Sequence, residues 1–303
     1  MSRSSNIRVI NNTITQSTVE GINNVLASYC TIEGNHISHS GSGVWIEDSN
    51  KMTVSNNIVI DNYSGVVLSA NSSSNTITRN LFAGHPGKGV VIWSGENNHI
   101  SLNFFRNNNE GFYQIQGFSQ GYDDGLNNEW YNSTSNEGNW WSDYLGTGSY
   151  SLEGSGGFVD LYPQSTLRID SPTTTTYNVS SVMLNYTVHT FSNQAIITIY
   201  IDDLANSTNL PSGAQVTSLT TGMHNLSILV EELGTKEMTN VVFWVDLPSG
   251  TTTSSVSSTT TSSASSTTPT TSSDFLTLEM IVSALGFVGL MFWLRQKRRI
   301  EKE

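Results

Sequence analysis

Apolar and polar residues repeat with a fixed period along the first half of the chain. An apolar residue is followed three positions later by Asn and, two positions further on, by another apolar residue. The five units are Val9-Asn12-Ile14, Ile32-Asn35-Ile37, Val54-Asn57-Val59, Ile77-Asn80-Phe82 and Ile100-Asn103-Phe105. A Gly followed by an apolar residue recurs with the same spacing at Gly21, Gly43, Gly65, Gly89 and Gly111. A unit of about 22 residues rich in β-branched and turn residues predicts short strands joined by turns, with one coil of a solenoid per unit.

Stacking of these coils predicts a parallel β-helix over residues 1–164. Equivalent positions would lie roughly 4.8 Å apart from coil to coil, so that the apolar residues form columns inside the tube. An Asn at a fixed turn can bond to the Asn of the next coil, which satisfies amides that would otherwise be buried without partners. Repeat-like sequence begins almost at Met1, without a secretory signal, and we therefore expect further coils and a signal to be missing from the N-terminus.

Four different segments follow the repeats. Residues 165–248 carry β-rich runs separated by turns and predict a small antiparallel β-sandwich. Residues 249–274 are almost entirely Ser and Thr, a composition typical of a disordered, O-glycosylated stalk. Residues 275–294 are apolar and long enough to predict one C-terminal transmembrane helix. The basic residues of 295–303 predict a cytoplasmic C-terminus and a cell-membrane protein whose N-terminal region is extracellular.

Charge and cysteine content limit the classes of partner and cofactor that the chain is expected to bind. The 303-residue chain has a formal net charge of −12, which disfavours nucleic acid as a partner. Its single cysteine, Cys30, cannot form an internal disulfide, and no Cys/His cluster has the spacing of a metal site. The sequence contains no phosphate-binding loop or nucleophile motif, so we expect no cofactor.

Particular motifs resemble known families. The coils, together with the run Gly138-Asn139-Trp140-Trp141-Ser142-Asp143-Tyr144, resemble the NosD-type right-handed β-helix repeats of prokaryotic, and especially archaeal, surface proteins. Ser171-Pro172 and the run from Leu184 to Val188 resemble immunoglobulin-like modules of such proteins, which implies a spacer or a weak interaction module. The C-terminal segments resemble sorting signals that are sometimes cleaved for a lipid anchor. We expect neither the calcium nor the copper site that the resemblance suggests, because the corresponding ligand patterns are missing from this sequence.

Aromatic residues on the predicted outer wall are the candidate ligand-binding residues. Alignment of the coils at their glycines places Trp45 and Tyr113 in one outward column and Trp93 in the next. Outward rings on a flat sheet can stack against sugars, which predicts binding of extracellular glycans or surface-layer proteins. The alternative is that another segment, such as the insertion at 116–137, packs over this patch.

The alternative function is that of a fragment of a carbohydrate-active enzyme, namely a polysaccharide hydrolase, lyase or epimerase. Its weak catalytic candidates are His39 and Asp61, which occupy the same turn position in adjacent coils, although an ordinary solvated turn is the simpler interpretation. The predicted extracellular location also makes Asn-x-Ser/Thr triplets candidate glycosylation sites. They begin at Asn11, Asn62, Asn71, Asn132, Asn178, Asn185, Asn206 and Asn225.

Overall fold

The computed structural model describes residues 4–109, 119–208 and 210–248. The chain divides into two units, Met1–Pro248 and Ser249–Glu303, and the second unit lies outside the described residues. The expected stalk, transmembrane helix and basic tail therefore lie outside the described residues. In the part that is described, all regular secondary structure is β, and no helix is long and apolar enough to span a bilayer.

Three parallel sheets form the wall of a β-solenoid, as the repeat predicted. Sheet 1 consists of β2 (Arg8–Ile10), β6 (Thr31–Glu33), β9 (Thr53–Ser55), β12 (Thr76–Thr78) and β15 (His99–Ser101). Sheet 2 consists of β3 (Thr13–Thr15), β7 (His36–Ser38), β10 (Ile58–Ile60), β13 (Leu81–Ala83), β16 (Phe104–Arg106), β18 (Trp140–Trp141) and β21 (Gln164–Ser165). Sheet 3 consists of β4 (Glu20–Val25), β8 (Ser42–Glu47), β11 (Ser64–Ser69), β14 (Val90–Ile92) and β17 (Gly121–Asp123). Two short pairs, β1 (Ser4–Ser5) with β5 (Ala27–Ser28) and β19 (Tyr150–Ser151) with β20 (Val159–Asp160), complete this part.

The recurring Asn residues form the predicted ladder between sheets 1 and 2. The Nδ2 of Asn35 donates to Oδ1 of Asn57 at 3.0 Å, and Asn57 donates in the same way to Asn80 at 2.9 Å. Each Oδ1 also accepts the backbone N–H of the preceding Asn, so one amide satisfies two donors of its neighbour. The ladder continues through Asn103 to Asn139 and ends at Asp160, whose Oδ2 lies 3.2 Å from Nδ2 of Asn139. The last position only has to accept hydrogen bonds, which is what a carboxylate does.

Two further ladders stand at the other corners and also end at aspartates. One runs through Asn75, Asn98 and Asn128 to Asp123, and the other through Asn62, His85, Asn108 and Gln120 to Asp143. Burial raises the pKa values of all three terminal carboxyls. Their oxygens nevertheless accept several hydrogen bonds each, two of them from the indole N–H groups of Trp130 and Trp141 at 2.8 and 2.9 Å.

The Gly positions mark the closest approach of neighbouring coils. A Cβ built on Gly65 would lie 2.2 Å from the carbonyl oxygen of Gly89 and 2.8 Å from Cδ1 of Phe82. A Cβ on Gly43 would meet the carbonyl oxygen of Gly65 at 2.8 Å. No side chain fits at these separations, so the period of the glycines reports the contact between coils.

The Gly column does not continue into the fifth coil as predicted, because Gln120 lies beside Gly89. Val90 pairs with Gly121 and Val91 with Tyr122, so Tyr122 takes the place expected for Tyr113, which lies outside the described residues. The insertion thus precedes the strand of this coil. Ile100 is followed in the next coil by Trp130, since the backbone N–H of Ile100 donates to the carbonyl of Glu129 at 2.8 Å.

The aromatic run after Gly138 continues the solenoid. Trp140 and Trp141 pair with Phe104 and Phe105 as a further rung of sheet 2. Trp141 is fully buried and stacks between Phe105 and Tyr150 at centroid distances of 4.1 and 3.9 Å. The run therefore supplies core side chains to the last coils.

A two-sheet β-sandwich follows the solenoid. Its first sheet contains β22 (Leu167–Ser171), β24 (Val182–Val188) and β27 (Ala214–Val216). The second sheet contains β23 (Thr176–Tyr177), β25 (Ile196–Ile201), β26 (Leu204–Thr208), β28 (Gly222–Glu232) and β29 (Thr235–Val245). Leu184, Ile199 and Phe243 are fully buried between the sheets.

A buried ion cluster joins the sandwich to the solenoid. Arg106, which follows Phe105 in β16, is 1% exposed, and its Nη1 lies 2.7 Å from Oε2 of Glu232. Its Nε lies 3.2 Å from Oε2 of Glu237, which is also buried. Glu232 accepts the backbone N–H of Phe191 at 3.1 Å as well. Because unpaired buried charges are costly, this cluster fixes how the β28–β29 turn sits on sheet 2.

Candidate functional site

The outer face of sheet 3 carries the first predicted ligand residue. Trp45, Val67, Val91 and Tyr122 form one column and pack as a cluster separate from the solenoid core, with Trp93 against them. The side chains of Trp45 and Tyr122 are each only 9% exposed, and those of Val67 and Val91 are 3% and 1% exposed. This low exposure leaves little ring surface in the column for a sugar to stack on.

The edge of this cluster leads into a polar cleft. Trp93 packs against Tyr122 with a centroid distance of 5.0 Å, and the chain continues from Trp93 into Ser94 and Gly95, which line the cleft. The cleft has a volume of about 690 Å³ and takes side chains from four consecutive coils. Its lining residues are Asn50, Lys51, Asn71, Ser73, Ser74, Ser94, Gly95, Glu96, Asp124, Gly125 and Leu126.

Hydrogen bonds between coils hold the floor of the cleft. Oδ1 of Asn50 accepts the backbone N–H of Ser73 at 2.9 Å, and Oγ of Ser73 accepts the backbone N–H of Glu96 at 3.1 Å. The polar lining is therefore positioned by the same coil-to-coil contacts that build the ladders. A site placed on such a scaffold is rigid before any ligand binds, which lowers the entropic cost of binding.

Three charged side chains line the cleft. Lys51 is exposed, and its Nζ donates to the hydroxyl of Tyr29 at 2.9 Å. Burial alone would raise the pKa of Asp124, but hydrogen bonds from the Tyr122 hydroxyl and from Ser155 outweigh it and lower that pKa. The carboxylate of Asp124 and that of exposed Glu96 give the cleft a negative balance against one lysine.

His39 and Asp61 stack in one turn column, as their spacing indicated. The described contact between them is a backbone hydrogen bond, from the N–H of His39 to the carbonyl oxygen of Asp61 at 3.1 Å. Both side chains are exposed, and both residues have positive φ values, of 54° and 51°. This geometry is that of an exposed turn, and it supplies no acid and base aimed at a common bond.

The predicted glycosylation sites differ widely in access. Asn62 is 1% exposed and its amide is part of an inter-coil ladder, so the folded chain has no room for a glycan there. Asn11, Asn71 and Asn178 are exposed, whereas Asn132, Asn185 and Asn225 are half-buried. Asn206 lies in β26, but its side chain lies outside the described part of the structure. No group of three His, Cys, Asp or Glu side chains within the described ranges has a metal-binding arrangement.

Comparison with known proteins assigns the repeat. A family model described as "Right handed beta helix region" matches residues 1–105. This match and the parallel β-solenoid support a right-handed β-helix repeat protein. Neither the search of curated proteins nor that of solved structures gave a match. The β-helix occurs in surface proteins and in carbohydrate-active enzymes, so the fold alone does not decide between the two functions.

Sequence reasoning did not find the cleft of the β-helix. Its residues are ordinary turn residues, and apart from the glycosylation triplet that begins at Asn71 they form no motif within their own coils. The signal that could have found them is the period itself: Asn50, Ser73 and Glu96 are spaced 23 residues apart and therefore share one column. A search for polar residues at constant spacing on one turn would have brought these three together.

Proposed function

We propose that this right-handed β-helix protein is anchored at the cell surface and binds glycans, with neighbouring surface proteins as the other partner class. The polar cleft across four coils is the observation that supports glycan binding most directly. The NosD-like repeat and an immunoglobulin-like character of the sandwich are part of this proposal and rest on the sequence motifs. The stalk, the membrane span and the glycosylated surface belong to it on the same ground.

The chemistry of the cleft fits the hydroxyl groups of an extended sugar chain. Amide, hydroxyl and carboxylate groups can each exchange hydrogen bonds with sugar hydroxyls. The cleft runs from coil to coil, which suits a polymer rather than a compact ligand. Two carboxylates against one lysine would repel an acidic polymer, so we infer that the glycan bound there is neutral.

Binding of neutral glycans to the full chain in mild detergent tests this proposal. We expect an array of neutral oligosaccharides to identify a ligand and the double substitution Lys51→Gln with Glu96→Gln to weaken its binding about tenfold or more, because each change removes a charged hydrogen-bond partner. Both side chains are exposed, so folding should be unaffected. The matched control is Lys236→Gln with Glu231→Gln, an ion pair of the sandwich with the same charges.

The outcomes separate the partner classes. Binding of neutral glycans by the parent chain and the control variant, together with loss of binding in the cleft variant, would support the proposal. Binding that the cleft variant retains would contradict it. Binding of another purified surface protein, with no glycan retained, would favour the second partner class.

The enzyme alternative has one observation in its favour. Glu96 and Asp124 place two carboxylates in the same cleft, and paired carboxylates hydrolyse glycosidic bonds in many enzymes. New reducing ends released from a bound glycan, and lost in both Glu96→Gln and Asp124→Asn, would establish hydrolysis. Unchanged chain length after prolonged incubation would leave binding as the function.

A further inference from the structure

Among the lysines and arginines of the described residues, one arginine has no polar partner. Each of the others contacts an acidic or hydroxyl group through its side chain. These residues are Arg8, Lys51, Lys88, Arg106, Arg168 and Lys236. Among the described residues, Arg79 forms neither an ion pair nor a hydrogen bond through its guanidinium, and it is exposed. In a protein with a net charge of −12, an unpaired guanidinium is a natural anchor for an anion.

Arg79 lines a cleft where the β-helix meets the sandwich. The cleft has a volume of about 570 Å³ and is distinct from the cleft of the β-helix described above. Phe104 and Trp140 form one wall, with their rings stacked at a centroid distance of 4.5 Å and an interplanar angle of 11°. Phe191 from the sandwich stands edge-on against Phe104 at 5.7 Å. Aromatic rings, a cation and a junction between two folded parts are features of many ligand sites.

The aromatic wall is held in place before any ligand binds. Glu232 accepts the backbone N–H groups of Phe191 and Ser192, and the same carboxylate pairs with buried Arg106. Phe104 lies in β16, two residues before Arg106. The ion cluster between the two folded parts therefore also fixes the shape of this cleft.

We propose that this junction cleft binds a sugar residue that carries a carboxylate. The guanidinium of Arg79 would pair with the carboxylate, and the aromatic wall would contact the apolar C–H groups of the sugar ring. Asn56 and Glu137, which also line the cleft, offer an amide and a carboxylate to the ring hydroxyls. An acidic sugar uses all of these groups together, whereas the Asp or Glu side chain of an acidic peptide offers no apolar ring face to the aromatic wall.

This site does not depend on the neutral glycan proposed for the cleft of the β-helix. The two clefts share no lining residue, and their charged residues differ: one arginine and one glutamate line this cleft, whereas one lysine and two carboxylates line the cleft of the β-helix. The two sites can therefore be removed separately, and failure of one proposal leaves the other in place.

Calorimetric titration of the full chain in mild detergent tests the inference. The probes are trigalacturonate and its methyl ester, which share the sugar ring but differ in charge. We expect the acid to bind about tenfold tighter than the ester, the magnitude of one charge-assisted contact. Arg79→Gln should abolish that difference and Arg79→Lys should keep part of it. Phe191→Ala should weaken both probes, and the double substitution Lys236→Gln with Glu231→Gln, at an ion pair that lines neither cleft, should change neither.

Several results would overturn the proposal. They are equal affinity for acid and ester, a preference for the acid that survives Arg79→Gln, and unchanged binding in Phe191→Ala. A Glu-rich peptide that displaces trigalacturonate and binds more tightly would also overturn it, because the ligand would then be a protein. Arg79 is exposed, so its substitutions should fold, and an unchanged circular dichroism spectrum checks this.

Discussion

We predict that His85 makes the stability of the β-helix sensitive to acid. It occupies a ladder position that is Asn62 in the preceding coil and Asn108 in the following one. The ring is 1% exposed, with Nδ1 lying 3.2 Å from the backbone nitrogen of Asn62. Burial lowers the pKa of His85 from its ordinary value of 6.5 to about 4. The substitution His85→Asn would replace the ring by the residue that its neighbours use and would remove the titration.

The sign and size of the effect follow from proton linkage. Between pH 6.5 and about 4, the unfolded chain binds a proton at this histidine that the folded chain does not, so the free energy of unfolding falls as the pH drops. The lowered pKa corresponds to about 3 kcal/mol across that range. The carboxyls of Asp123, Asp143 and Asp160 have raised pKa values and act in the opposite direction. Their contribution to the free energy of unfolding is present at low pH and is lost as the pH rises.

Urea unfolding at a series of pH values, followed by tryptophan fluorescence, measures the difference between the parent chain and His85→Asn. The aspartates are common to both proteins, so the difference isolates the histidine. Between pH 6.5 and 4, we expect the free energy of unfolding of the variant to fall by about 3 kcal/mol less than that of the parent. His39→Asn, at an exposed histidine, is the control and should behave like the parent. Parallel pH profiles for the parent and His85→Asn would refute the reasoning.

Three further substitutions test the packing of the coils and the junction, each by its effect on the urea midpoint. Gly65→Ala should cost about 1 to 3 kcal/mol, because its methyl group would lie 2.2 Å from a carbonyl oxygen of the next coil, and an unchanged midpoint would contradict that contact. Asp160→Asn should cost about 1 to 3 kcal/mol, because the new amide group would place an N–H donor against neighbours that all donate to Asp160. A stabilised variant would show that removal of the buried charge outweighs the loss of these hydrogen bonds. Arg106→Met should cost about 3 to 5 kcal/mol, because it leaves Glu232 and Glu237 buried without their cation. Adding Glu232→Gln and Glu237→Gln to this variant should recover part of the lost stability. No recovery would show that unpaired buried charge is not the cause.

The first five coils could be predicted from the sequence because two residue types repeat for independent physical reasons. Asn57 is required by the hydrogen bonds of its ladder, and Gly65 by the approach of the next coil. Two ladders with one period fix both the fold and the register. The prediction failed at the fifth Gly position because Gly121 pairs with Val90, so that Gln120 lies beside Gly89 and the Gly column does not continue, and only the contacts of the folded chain show this register.

The ends of the ladders and the two clefts were not predicted, for different reasons. A ladder of amides has a direction and must end at a group that only accepts, so a search for a buried Asp near the last coil could have found Asp160. The clefts combine side chains from several coils or from two folded parts, as Arg79 and Phe191 do. No single segment contains such a site, and its residues become neighbours only after the coils have stacked.

The stacking of equivalent residues underlies the fold, the cleft of the β-helix and the junction cleft alike. A double-mutant cycle on the free energy of unfolding tests it directly, with Asn57→Ala and Asn80→Ala made singly and together. Because these amides bond one another at 2.9 Å, we predict a coupling of about 0.5 to 3 kcal/mol. The same cycle on Asn35 and Asn103, which are three coils apart, should give a coupling within about 0.5 kcal/mol of zero. Additive effects for Asn57 and Asn80, or equal coupling in both cycles, would contradict the account.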